Sequence, residues 1–165
     1  PRRPPPPLAR PPPGPLHHTA SLGIPETMRP PAHKPLTAAM NDAMIRRRFP
    51  QFKYSRAQSA WTGTLRPSDQ SPPYVVRITY RPNMKPKVEV LQPEIKANTP
   101  HRFSDGSLCL YYELDGSWHS GLHLAATLIE WTAEWLYFYE HWLTTGTWHG
   151  PAVPHSPGKS PQKDT

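Results

Sequence analysis

The chain has 165 residues, which fits one domain, and a single cysteine, which excludes an internal disulfide and gives no sign of an oxidising compartment. No run approaches the roughly 18 to 20 apolar residues of a membrane span, and no charged stretch leads into the apolar core of a secretory signal; the expectation is a cytoplasmic protein that does not enter a membrane. The formal net charge of +7 sits mainly at the ends: residues 1–35 carry +4 and residues 151–165 carry +1, so the near-balanced middle argues against a nucleic-acid-binding domain.

Thirteen of the 25 prolines fall in residues 1–35 and four in residues 151–165. Each proline fixes φ and removes a backbone donor, so neither end is expected to form helix or sheet interior. The organisation expected is a Pro-rich disordered leader (1–35), a folded domain (36–150) and a disordered tail (151–165). The chain opens on Pro1, with Met28 and Met40 as internal candidate starts, and the leader is expected to be dispensable.

Within the domain, "LTAAMNDAMIRRRFPQF" reads as a helix opened by Leu36 or Thr37 and closed by Pro50. Its expected apolar stripe is Ala39, Met40, Ala43 and Met44. Arg46, Arg47 and Arg48 fall in its last turn, where the helix dipole favours cations. The stretch 52–67 alternates weakly and runs into a turn near Pro67–Ser71. "YVVRITYR" (74–81) puts Tyr74, Val76, Ile78 and Tyr80 on one face, the period of a strand. "KVEVLQP" (87–93) does the same with Val88 and Val90. Tight turns between these runs favour an antiparallel meander. An irregular segment holds the cysteine. "LAATLIEWTAEWLYFYEHWLTTG" (124–146) then reads as one helix, with Leu128, Trp131, Trp135, Phe138 and Trp142 on its core face. Glu130, Glu134 and His141 lie on the other side, and Gly146 is the stop. The fold class is α+β: N-terminal helix, meander of about four strands, irregular cysteine-bearing segment, C-terminal helix.

Chemistry concentrates in "HRFSDGSLCLYY" (101–112). A lone cysteine is most often a small buried hydrophobe. Here a turn signal precedes Cys109, and a short apolar run seats it with one side open to a cleft. A thiolate attacks a carbonyl carbon well and leaves well, which suits acyl transfer. Around it, Asp105 is either a turn former or a group that tunes an incoming amine. Tyr111 lines the cleft or packs, and Trp118 packs over the cysteine loop. His119 and His123 lie four apart, with His141 and His149 further on, but the clustered pattern of a structural zinc site is missing, so no metal is expected.

The ordered set His101, Gly106, Leu108, Cys109, Leu110 and Trp118, with the helix that follows, resembles the ubiquitin-conjugating enzymes over roughly residues 36–150. "DGSLCLYY" and the tryptophan-rich final helix are more similar to the bacterial members found in anti-phage operons, including the cyclic-oligonucleotide signalling (CBASS) systems. The resemblance implies a UBC-like fold and a thioester at Cys109. The acyl group would be the C-terminus of a ubiquitin-like protein or a cGAS-like nucleotidyltransferase, activated by a separate adenylating enzyme and passed on to an amine. No cofactor is bound by this chain on that reading. The sequence departs from the eukaryotic His-Pro-Asn turn, since Phe103 stands where the Asn would stabilise the oxyanion or order the loop. His101, Asn98 or the N–H groups near Gly106–Ser107 are the candidate replacements, with His101 preferred. Two rivals stay open: a non-catalytic binding module in which Cys109 is only packed, and a cysteine hydrolase pairing Cys109 with His101 or His119.

Overall fold

The computed structural model describes residues 33–112 and 116–151; the expected disorder of residues 1–32 and of the tail beyond Pro151 lies outside the described residues. Helix α1 spans Ala38–Arg48. Thr37 caps it: its backbone is extended and its hydroxyl accepts the Met40 N–H at 3.2 Å, satisfying one of the first-turn donors. The helix ends at Phe49, before Pro50 can disrupt it. The expected apolar stripe is not the buried one. Ala39, Met40 and Ala43 are exposed, and the fully buried side chains are Asn41 and Ile45. A helix of alanines and methionines carries almost no amphipathic signal, so the partner surface decides which face is covered. Here that face holds an amide, and the Asn41 Oδ1 accepts the Leu124 N–H at 3.0 Å.

Four strands follow: β1 Lys53–Ser55, β2 Ala60–Leu65, β3 Tyr74–Thr79 and β4 Lys87–Gln92. They form one antiparallel sheet in the order β1-β2-β3-β4, the meander expected from the short connections. The stretch 52–67 divides into β1 and β2 because the chain reverses at Arg56–Ser59, with Ser59 at φ 50. The inner face is built by register. Trp61 lies opposite Ile78, Gly63 opposite Val76 and Leu65 opposite Tyr74, while Ile78 and Val76 oppose Val88 and Val90. Tyr74, Val76, Ile78 and Tyr80 are all buried, as their alternation predicts. Glycine at 63 is required by close approach, because a Cβ there would sit 2.4 Å from the Phe52 ring and 2.8 Å from its Cα.

The final helical stretch is not continuous. A 3₁₀ turn at Leu124–Ala126 is separated from helix α2, Leu128–Thr145, by Thr127 at φ −128 and ψ −88. No proline or glycine marks this break. Gly146 closes α2 in the left-handed conformation at φ 71, the stop the sequence signals. The buried face of α2 is Leu128, Ile129, Thr132, Trp135, Leu136 and Tyr139. Of the residues expected to form the core face, Trp131, Phe138 and Trp142 are only half-buried. Among the described residues, no helix is long and apolar enough to cross a membrane.

Two polar ties fix the sheet to its neighbours. Glu140 of α2 accepts from the Tyr74 hydroxyl (3.0 Å) and the Ser71 hydroxyl (2.7 Å), clamping the β2–β3 loop. The Tyr80 hydroxyl donates to the Leu36 carbonyl at 2.7 Å, and the Leu36 N–H donates to the Ser120 carbonyl at 2.8 Å, so the residues just before α1 rest on the loop that precedes α2. Burial first, and the Glu140 carboxylate second, push the Tyr74 hydroxyl well above its ordinary value of 10. A raised folded-state value means that the unfolded chain loses its proton first as pH rises. Stability is therefore full below the unfolded value and falls as pH rises beyond about 10. Alkaline denaturation followed by circular dichroism is expected to show this loss, and Tyr74→Phe is expected to flatten it.

Candidate active site

The cysteine segment is a short tight loop fastened at both ends. Arg102 and Leu108 form an antiparallel bridge, and the Phe103 N–H donates to the Ser107 carbonyl at 2.8 Å. Gly106 turns the chain at φ 84 while the Arg102 guanidinium donates to its carbonyl. Asp105 holds the turn from the side: its Oδ1 accepts from both the Ser107 N–H (2.9 Å) and the Ser107 hydroxyl (2.6 Å). Its Oδ2 pairs with Lys87 of β4 at 3.3 Å. The Ser107 bonds, with Lys87 behind them, hold this carboxyl down to about 2. In this geometry Asp105 orders the loop.

Leu108 is buried, and its N–H donates to the Val88 carbonyl at 2.8 Å, seating the loop on β4. One residue on, the Cys109 N–H donates to the His101 carbonyl at 2.9 Å. The same carbonyl accepts the Trp135 indole N–H at 3.2 Å, which docks the loop on α2. His101 takes a left-handed backbone (φ 55) to aim its carbonyl this way. Its ring lies 5.0 Å from that of Trp148.

Cys109 is 8% exposed and lines a narrow cleft of about 40 Å³. The walls are Leu110, Trp131, Trp135, Phe138 and Trp148, with Glu134 and Pro151 completing the lining. Trp131, Glu134, Trp135 and Phe138 recur at steps of three, one and three, so one face of α2 looks onto the sulfur's surroundings. From sequence, the α2 tryptophans and Phe138 are expected to be core alone and Glu134 to lie on the opposite side, and Trp148 carries no expectation; all of these but Trp142 line the cleft. Their helical spacing is visible in the sequence; that Cys109 packs on that face is not, because the pairing is made by the Trp135–His101 bond across 34 positions.

Tyr111 and Trp118 are brought together, with ring centroids 5.4 Å apart. They line a separate, larger groove of about 430 Å³ with Pro35, Pro82, Met84 and Lys85. Trp118 thus packs on Tyr111 and does not line the cysteine cleft. The Tyr111 ring is 6.2 Å from that of Trp131, which lines the cysteine cleft.

The possible substitutes for the missing Asn are distributed unevenly. Phe103 is 38% exposed and lies under the Lys85 ammonium at 4.2 Å. Asn98 lines a different hollow with Arg102 and Gly106. The Gly106 and Ser107 N–H groups are committed to the Phe103 carbonyl and to Asp105. His119 is drawn away into a stack with His33, with centroids 3.5 Å apart, and its Nδ1 accepts the Gly121 N–H at 3.2 Å. Burial, with the neighbouring His33 second, lowers the His119 value. Among the described residues, no three His, Cys, Asp or Glu side chains gather as a metal-ligand set.

The α+β domain thus fastens its one cysteine between a sheet edge and an aromatic helix face. The sequence model of the type II CBASS E2 protein family matches residues 41–156, and the chain belongs to that family. Membership places it in E2-like conjugation within CBASS, an antiviral defence system, alongside other CBASS components. A search of curated proteins gives no match.

Proposed function

We propose that Cys109 accepts a C-terminal acyl group as a thioester and passes it to an amine. The donor on this reading is a ubiquitin-like protein or a cGAS-like nucleotidyltransferase, activated as an adenylate by a separate enzyme, on a cytoplasmic UBC-like domain. The observation that carries the reading is the placement of the sole cysteine in a cleft on the aromatic face of α2, in a chain of an E2 family. The thiolate attacks the activated carbonyl, a C–S bond forms and the activating group leaves. Amine attack then forms a C–N bond and releases the thiolate. The cleft contributes by holding the reacting atoms in attack geometry. His101 is a positioning residue on this reading, because its carbonyl fixes the Cys109 backbone.

The test is incubation with the activating enzyme, ATP and the donor. An adduct that is cleaved by reducing agent is expected, and Cys109→Ala is expected to abolish it. An adduct that persists in Cys109→Ala sinks the assignment.

The low exposure of Cys109 favours one rival, the non-catalytic binding module. Alkylation separates the two: a thiol that reacts with iodoacetamide in the folded protein supports acyl transfer, and one that reacts only on unfolding supports the binding module.

A further inference from the structure

Helix α2 carries three glutamates, and two are committed. Glu130 is paired with Arg48, and Glu140 accepts from Ser71 and Tyr74. Glu134 is exposed, has no partner among the described residues, and is the charged side chain in the lining of the cysteine cleft. The other groups around the sulfur are mainly aromatic: Trp131, Trp135, Phe138 and Trp148.

This combination has a definite chemical preference. A narrow cleft walled by rings admits a thin alkyl chain and disfavours a branched or hydrated one. Ring faces attract a cation, and a carboxylate at the same wall adds a charge-assisted hydrogen bond. A hydroxyl or a water gains nothing from the ring faces and, being neutral, forms a weaker bond to the carboxylate than a cation does. The acceptor that matches stem and charge is a primary amine on an unbranched alkyl chain, such as a lysine side chain.

We infer that Glu134 is the positioning residue for this amine acceptor, a role that rests on the thioester reading above. The alkylammonium enters along the aromatic wall with its nitrogen on the Glu134 carboxylate. It gives one proton to solvent, keeps an N–H on Glu134 and turns its lone pair to the thioester carbonyl. The C–N bond forms, the C–S bond breaks, Cys109 leaves as the thiolate, and the nitrogen's second proton passes to solvent, leaving a neutral amide.

The experiment loads the full chain chemically, which needs no activating enzyme. A glycine-ended peptide carrying a mercaptoethanesulfonate thioester is the acyl donor, and intact mass reports the adduct. Two nucleophiles are then added separately: Nα-acetyllysine, a cationic alkylamine, and hydroxylamine, small and uncharged at neutral pH. In Glu134→Gln the Nα-acetyllysine concentration for half-maximal discharge is expected to rise about tenfold, the loss of one charge-assisted bond. The rate at saturation and the discharge to hydroxylamine are expected to stay within about twofold of wild type. Glu134→Asp is expected to recover part of the loss. Unchanged dependence on Nα-acetyllysine in Glu134→Gln overturns the inference, as does an equal loss with both nucleophiles, which marks a structural lesion. A wild-type chain that takes no acyl group from the probe shows its failure before any amine is added; in that case the thioester reading falls first and the inference with it.

Discussion

Trp135→Ala is expected to destabilise the domain by about 3–5 kcal/mol, the range for removing a large buried aromatic side chain. Trp135 is 5% exposed, stacks on Tyr139 with centroids 5.5 Å apart, and lies 5.5 Å from Trp148. Domain stabilities run to only about 5–15 kcal/mol, so the loss is a large share of the whole. The functional effect is expected to exceed the stability effect. The Trp135 N–H holds the His101 carbonyl, and that carbonyl holds the Cys109 backbone. Trp135→Phe separates the two contributions. It keeps most of the ring packing and removes the N–H, at an expected cost of about 1 kcal/mol. Urea denaturation reads the stability, and the rate of adduct formation reads the loop. If Trp135→Phe loads as fast as wild type, the bond to His101 does not position the cysteine.

The second large effect is expected at Asn41, whose side chain is fully buried on α1. Its Oδ1 satisfies the Leu124 N–H, and its Nδ2 reaches the Thr37 carbonyl at 3.4 Å. Asn41→Leu fills the same space with apolar atoms and leaves the Leu124 donor buried without a partner. An unmet buried donor costs about 1–3 kcal/mol, and little hydrophobic gain offsets it because the site is shaped for an amide. Urea midpoints are expected to drop accordingly, and hydrogen exchange is expected to quicken at Leu124 before it does in β3. A variant as stable as wild type would mean that α1 and the 3₁₀ turn are held by Ile45 and Leu124 packing alone.

The parts of the fold legible in the sequence are those set by local rules. Tyr74, Val76, Ile78 and Tyr80 alternate because a strand alternates, and they are buried as a set. Pro50 and Gly146 mark the ends of α1 and α2 through their own backbone restrictions. What the sequence hides is set by distant partners. Met40 is the more apolar residue, yet Asn41 is buried, because a backbone N–H 83 positions away needs its oxygen. Thr127 interrupts the last helix without any breaker residue, so a continuous reading of 124–146 overruns it.

The candidate site divides in the same way. Cys109, with the turn at Ser104–Ser107 before it, is visible as a seated thiol, and Asp105 is visible as a turn former. Trp118 is near in sequence and lines the neighbouring groove instead. Trp148, 39 positions after the cysteine, returns to wall the cleft through contacts with Trp135, Phe138 and His101. Glu134 looks like a solvated helix residue until the cysteine segment is docked beside it.

Site mapping of the covalent adduct tests the central claim most directly. The protein is incubated with its activating enzyme, ATP and the donor, digested under non-reducing conditions and sequenced by tandem mass spectrometry. The account predicts the donor's C-terminal residue joined to the Cys109 sulfur, with the bond lost on treatment with thiol. A donor attached only through a lysine, or an unmodified Cys109 in a chain that still binds the donor tightly, would contradict it.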